Sequence, residues 1–455
     1  MPRAVYIETY GCQMNVADTE LILGHLSRGG WVATADPTAA DAILLNTCAI
    51  REHAEERVVG RLTDLARLRA GRPDLVLGMC GCMAQHHRAA VAARVPGLDL
   101  VVGPDAYRRL PELLTATHLR RERSGDPHVD VRLDPRETYA DLPAARTPGA
   151  VRAWVTVMRG CDRFCTFCVV PYVRGRERSL PVEAVLAGVR SAVADGAREI
   201  VFLGQTVNAY RDGSSDFAGL LERTATIAGV LRIRFTSPHP ADMTPRLIAA
   251  MGTIPQVAPQ LHLPVQSGSD AVLARMERGY TVAEYRELVE QLRDAVPDLA
   301  LSTDVIVGFP DESPADFEAT CRLLAEVRYD HAFLFKYSPR SLTRAARWTD
   351  SVPAAEKARR LTQVIEMQQA ISAERNRRWI GREVEVLIEG AARRPPGHAV
   401  GKTPQLTTTV VDVAPRAGAL VTATVRAATA HTLLAVSARP ARAAAAPPAA
   451  PAAAG

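Results

Sequence analysis

Apolar and polar positions alternate along the chain in three successive textures. From residue 4 to 103, the short apolar runs AVYIET, AILLNT, LVLGMC and LDLVVG are separated by helix-spaced segments over Asp18–Arg28, His53–Leu68 and Ala84–Ala93. Strand and helix in turn predict a doubly wound parallel sheet with helices on its faces. Between Thr115 and Ala150 the chain is rich in Arg, Asp and Pro and has no apolar period, which predicts a loosely packed connection. Six further runs, AWVTVM, EIVFLG, RIRFTS, LHLPV, LALSTDVIVGF and AFLFKYS, alternate with helix-like segments. They predict a partial parallel (β/α)6 barrel, with chemistry at the C-terminal ends of its strands. A charged periodic helix over 354–379 leads to alternation in EVEVLI and VTATV with Gly-rich breaks between, the pattern of a small antiparallel β-barrel. The last residues, ARPARAAAAPPAAPAAAG, cannot build a core and are expected to be disordered. The α/β organisation expected is therefore 1–116 sheet domain, 117–146 linker, 147–378 barrel, 379–440 β-barrel and 441–455 tail, with no internal repeat.

Composition adds modest constraints. With 455 residues, 47% of them hydrophobic, the chain is long enough for several cores. A net charge of +5 permits a polyanionic partner without requiring one. No run of about 18 apolar residues suits a membrane span, and the opening MPRAVYIETYGC does not have the texture of a signal peptide, so a cytoplasmic location is expected. In that compartment the eight cysteines point to metal ligands or catalytic thiols rather than disulfides.

The sharpest local signal is the loop GCDRFCTFC after the first barrel run. Cys161, Cys165 and Cys168, spaced C-x3-C-x2-C, can hold a 4Fe-4S cluster and leave one of its four irons without a protein ligand. S-adenosylmethionine (SAM) can chelate an open iron through its amino and carboxylate groups, and electron transfer then cleaves the sulfonium to a carbon radical. A structural zinc site is the bland alternative, but it wants a fourth ligand and none lies nearby. With Phe167 just before the third cysteine, the loop resembles the radical SAM superfamily. A second set is dispersed: Cys12, Cys48 and Cys82 each lie just past a predicted parallel strand. These strand ends share one sheet edge, where ligands of open α/β sheets bind. Singly, each would read as a small buried hydrophobe. Cys80 competes with Cys82, but strand alternation keeps Cys80 in the strand and leaves Cys82 in the turn. Cys321 shares a helical face with Phe317 and Leu324 and reads as core.

The segments YGCQMNVADTE, NTCAIREHAEER, GCGCMAQ, RGCDRFCTFCVVPYVRGRERS, LPVQSGSD, STDVIVGFPDE and YSPRSLTRAA together resemble the methylthiotransferase family. The likeness spans residues 4 to about 437 and is closest to the branch acting on isopentenylated adenosine beside the tRNA anticodon, of which Gln13-Met14-Asn15 after Cys12 is typical. The resemblance implies two 4Fe-4S clusters, the second on Cys12, Cys48 and Cys82, and SAM as both radical source and methyl donor. It also implies a TRAM-like C-terminal barrel and tRNA as substrate. A low-potential flavodoxin or ferredoxin as electron donor and a monomeric chain are further expectations. The sulfur source stays open. Two positions depart from the pattern: Cys80, and Leu342 where a Gly is expected.

Candidate SAM contacts are Phe167 and residues of loops that end barrel strands: Gly204, Gln205, Ser237, Gln266, Ser267 and Gly308. Asp304 falls in the fifth strand, its outlook set by register. Candidate RNA contacts are Gln13, Asn15, Arg174, Arg176, Arg394 and Lys402. The four basic ones are drawn from groups around the cluster loop (with Arg159, Arg163 and Arg178) and at the C-terminal barrel (with Arg375, Arg377, Arg378, Arg382 and Arg393), and Gln13 and Asn15 from the segment after Cys12. The plain alternative is a solvated charged face. Rival functions are the same chemistry on threonylcarbamoyl adenosine or a ribosomal-protein aspartate, and a non-catalytic iron-sulfur RNA-binding protein.

Overall fold

A computed structural model describes residues 2–49, 52–119, 126–213, 215–414 and 416–437, leaving out the side chains of 52–54. The expected tail, 441–455, lies outside the described residues.

The N-terminal sheet is wholly parallel. Its strands β1 (Arg3–Tyr10), β2 (Trp31–Ala33), β3 (Ala42–Thr47), β4 (Val76–Gly81), β5 (Leu100–Val102) and β6 (His128–Asp130) lie in the order β2-β1-β3-β4-β5-β6. Alternation sends Leu44, Val76 and Leu100 to one face, under α1 (Gln13–Arg28), and Ile43, Leu45 and Leu77 to the other, under α2 (Glu52–Ala66). Two short helices complete the set used below, α3 (Cys82–His87) and α4 (Leu110–His118). The chain runs left from β1 to β2 and right from β3 onward, so the crevice at the C-terminal ends of β1 and β3 is a topological switch point. The segment expected to be a loose linker is corrected by the structure: it supplies β6, and Tyr139 is 3% exposed, donating to Pro104 O at 2.9 Å. Polar residues hid this strand, since it is short and at the sheet edge.

Six parallel strands form the central barrel: Arg152–Thr156, Glu199–Leu203, Arg232–Phe235, Gln260–His262, Ala300–Val307 and His331–Lys336. They pair in two groups of three, joined by the parallel bridge Ile233–Val257, into an open arc. Ala153, Val155, Ile200 and Phe202 point outward into the core under the helices. Trp154, Val201 and Leu203 point inward, where Met14 and Ala17 of α1 cover them. The N-terminal domain thus closes part of the unfinished barrel.

A long helix, Ala354–Arg377, leads to five strands that close on themselves, Glu383–Ala391, Ala399–Lys402, Thr408–Val411, Leu420–Ala428 and Thr432–Ser437. All pairs are antiparallel except Thr408–Val411 with Thr432–Ser437. This barrel docks against the inner face of the first three central strands. Arg232 donates to Lys402 O (2.6 Å), Arg234 to Thr403 O (2.9 Å) and Pro404 O (2.7 Å), and Arg152 to Glu389 Oε1 (2.8 Å).

Candidate active site

The loop between Arg159 and α5 (Val170–Arg174) carries three thiols because its backbone is folded tightly on itself. Gly160 adopts φ +77, and a side chain there would run into Arg176 O, so only glycine fits. Phe164 also lies at positive φ, and Cys168 N donates to Cys165 O at 2.9 Å. Cys161 Sγ is 3.1 Å from Thr206 Oγ1, and Arg278 Nη1 donates to Cys165 Sγ at 3.3 Å. Burial pushes the Cys161 thiol up and that of Cys168 up to about 12.

The other three thiols come from three separate turns. Cys12 caps α1, Cys48 follows β3 and Cys82 opens α3, where Gly81 at φ +95 makes the turn against Thr47. Cys12 N donates to Asn15 Oδ1, and Asn15 Nδ2 reaches Asn46 Oδ1 (3.1 Å) and Thr47 O (3.3 Å), which ties the first two turns together. A hydrogen bond from Cys48, reinforced by the Arg174 guanidinium, holds the Cys12 thiol down to about 6 despite its burial. Cys80 is fully buried in β4 and packs with Leu44 and Val102.

Both triads open onto one cavity of about 210 Å³. Cys12, Cys48 and Cys82 line it from the sheet side, Cys161 and Cys168 from the barrel, with Met14, Val170, Val173 and Leu203 as apolar wall. All eight cysteines are free of disulfides. Among the described residues, the one trio of His, Cys, Asp or Glu ligand atoms drawn within 4.8 Å is Glu55, His86 and His87, with Arg340 already 3.8 Å from Glu55 Oε1. Neither cysteine triad is therefore drawn to the sulfur spacing, about 3.8 Å, that a tetrahedral zinc ion requires. Three soft thiols per site, without a fourth, suit an iron-sulfur cluster with one open iron. Gln205 Oε1 is buried without a partner, an unmet polar group on a residue lining the cavity.

Of the candidate SAM contacts, Gly204, Gln205 and Ser237 line this cavity. Gly204 also has a packing reason to be glycine, since Met158 Cγ lies 2.6 Å from where its Cβ would be. Phe167, Gln266, Ser267 and Gly308 are not among the lining residues. Phe167 packs edge-on to Phe309 and Gly308 packs against Lys357. Gln266 bridges to Val305 at φ +75, and Ser267 contacts Thr320 Oγ1. Asp304 is half-buried on the inner barrel face, 3.4 Å from His262. Cys321 packs against the central core.

The expected RNA contacts divide. Arg174, 4% exposed, pairs with Asp18 at 2.8 Å and donates to Cys82 Sγ at 3.1 Å, so it is an internal residue and not a phosphate contact. Arg159 joins the same Asp18 (3.0 Å) and Arg178 binds Asp105 (2.8 Å), both buried, so these arginines fasten the barrel to the sheet domain. Asn15 is wholly buried and structural. Lys402 is half-buried against Thr408 beside the docking face. Gln13, Arg176 and Arg394 are exposed. Thr206 and Arg278 were not foreseen, because a polar residue's approach to a distant sulfur leaves no local pattern. Leu342 adopts φ +78, the left-handed conformation in which a Gly is expected.

Comparison with known proteins matches residues 155–324 to the Radical SAM superfamily and residues 4–103 to Uncharacterized protein family UPF0004. Among solved structures, the chain is similar to the radical S-adenosylmethionine methyltransferase TsrM from Kitasatospora setae. The TM-score is 0.57 at 15% identity, over 76% of this chain and 74% of that one, a likeness of fold alone. Relatives in Thiobacillus denitrificans and Chlorobium luteolum, both called tRNA-2-methylthio-N(6)-dimethylallyladenosine synthase, are 44% and 45% identical. Each match covers 88% of this chain, and 90% and 89% of the relatives. One from Geobacter sulfurreducens, with the same name, is 45% identical over 86% of this chain and 87% of its own. At that identity and coverage, the chain belongs to the tRNA-2-methylthio-N(6)-dimethylallyladenosine synthase family.

Proposed function

We propose that this enzyme converts N6-isopentenyladenosine beside the tRNA anticodon to its 2-methylthio derivative; the names of its relatives describe synthesis of that nucleoside in tRNA. One observation carries the reading: cysteines of two triads from different domains, Cys12, Cys48 and Cys82 on one side and Cys161 and Cys168 on the other, line one cavity. Cys161, Cys165 and Cys168 would hold the radical SAM cluster, and Cys12, Cys48 and Cys82 would hold a second 4Fe-4S cluster to supply the sulfur. Together with SAM, as radical source and methyl donor, these groups supply one-electron chemistry for an adenine carbon that has no leaving group.

The chain's own work is to hold, orient and exclude. Met14, Val170, Val173 and Leu203 keep the cavity apolar, which shields reactive species from water. Gly204, Gln205 and Ser237 offer polar and backbone contacts to SAM at the barrel strand ends. Gln13, exposed at the cavity rim, is placed to meet the substrate, while Arg176 and Arg394 are exposed cations for tRNA phosphates. An external flavodoxin or ferredoxin delivers electrons to a monomer in the cytoplasm. Among the described residues no helix is long and apolar enough to cross a membrane.

Nucleoside mass spectrometry of tRNA from a deletion strain tests the substrate: the methylthio group should vanish while isopentenyladenosine remains. Unchanged methylthio content would overturn it. Iron analysis tests the second cluster separately, with about eight irons expected per chain and about four in a Cys12/Cys48/Cys82→Ala variant.

A further inference from the structure

Each triad has one buried arginine donating to one of its sulfurs. Arg174 reaches Cys82 Sγ at 3.1 Å and Arg278 reaches Cys165 Sγ at 3.3 Å, and they are 4% and 5% exposed. Their charge is not balanced by protein carboxylates. Asp18, wholly buried, is shared by two buried guanidiniums, Arg159 and Arg174, which leaves one positive charge in excess beside Cys82. Arg278 makes no carboxylate ion pair among the described residues. Its partners are Tyr280 Oη (3.1 Å), Pro264 O (2.9 Å) and Cys165 Sγ. A buried cation without a counter-charge is costly, so each site calls for a further anion at its sulfur edge. A thiolate-ligated cluster is such an anion.

We propose that Arg174 and Arg278 are positioning residues that set the reduction potentials of the two clusters independently, each raising the potential of the cluster whose cysteine it touches. The Arg174 half rests on the second-cluster reading above. Reduction adds one electron, and so one negative charge, to a cluster. A guanidinium N–H···S bond stabilises that charge, and hydrogen bonds to sulfur and local charge are known levers on such potentials. Arg174 belongs to the segment that carries the barrel triad but touches a sulfur of the sheet domain. The potential of the N-terminal cluster therefore depends on the two domains being docked.

The test is potentiometric titration with dithionite, followed by electron paramagnetic resonance, on anaerobically reconstituted full-length chain. Cys161/Cys165/Cys168→Ala isolates the N-terminal cluster and Cys12/Cys48/Cys82→Ala the barrel cluster. In the first background, Arg174→Gln should lower the reduced-to-oxidised ratio at fixed potential by about tenfold, a negative shift of about 59 mV for one electron. In the second background Arg174→Gln should change nothing. Arg278→Gln should do the reverse. Arg174→Lys and Arg278→Lys keep the charge and should shift less; where a Gln variant loses its cluster, the Lys variant is read, and no shift there overturns that half. An unchanged midpoint with full iron overturns the proposal, as do equal shifts of both clusters. If the first background holds no iron, the second cluster falls and the Arg174 half with it, while Arg278 is still judged on the barrel cluster.

Discussion

The sheet domain presents its three thiols to the cavity and the barrel two of its three, Cys161 and Cys168, and the two triads differ in what holds their thiols in place. In the barrel, Cys161, Cys165 and Cys168 sit in one loop whose shape follows from local backbone demands at Gly160 and Phe164. In the sheet domain, Cys12, Cys48 and Cys82 occupy three turns, brought together by parallel pairing of β1, β3 and β4 and by the Asn15–Asn46 link. A local site survives distant change, whereas a topological one depends on the sheet and on whatever the sheet docks against.

The largest effects should separate the two triads by chemistry. Cys161→Ala should abolish both 5′-deoxyadenosine release from SAM and methylthio product, whereas Cys82→Ala should abolish product alone, both read by mass spectrometry of anaerobic assays. Next, Asp18→Asn removes the shared counter-charge of Arg159 and Arg174 and should cost about 3–5 kcal/mol in urea unfolding of the apo chain. Asp162→Asn, which breaks the exposed pair with Arg176, should cost no more than about 1 kcal/mol. Gly160→Ala and Gly81→Ala each force a side chain into positive φ and should cost about 1–3 kcal/mol from strain. Gly160→Ala should lose only barrel iron, and Gly81→Ala only N-terminal iron. Arg394→Glu should weaken tRNA binding and reduce the salt slope by about 1, with little effect on folding. The smallest effect expected is a gain: Leu342→Gly relieves the left-handed backbone and should stabilise the chain by less than about 1 kcal/mol in the same unfolding assay.

Fold class was legible because strand and helix periods are carried by side chains near in sequence. All six barrel strands fall on the apolar runs, and the alternation of Glu383–Ala391 reappears as a barrel wall. Strand β6 was not legible, because an edge strand of three residues needs little apolar content. The barrel triad could be read from spacing alone. The sheet triad needed the inference that parallel strands end on one edge.

The charged residues mark the boundary. From sequence, Arg159, Arg174 and Arg178 read as a basic patch for RNA, since charge in a linear string looks solvent-facing by default. The folded chain buries all three against Asp18 and Asp105, carboxylates far away in sequence. The chain itself determined the main elements other than edge strands such as β6, the local cysteine loop and the family. Only the tertiary structure decided that both triads share a cavity and which arginines face sulfur rather than solvent, because burial and ion pairing arise between segments that no local pattern connects.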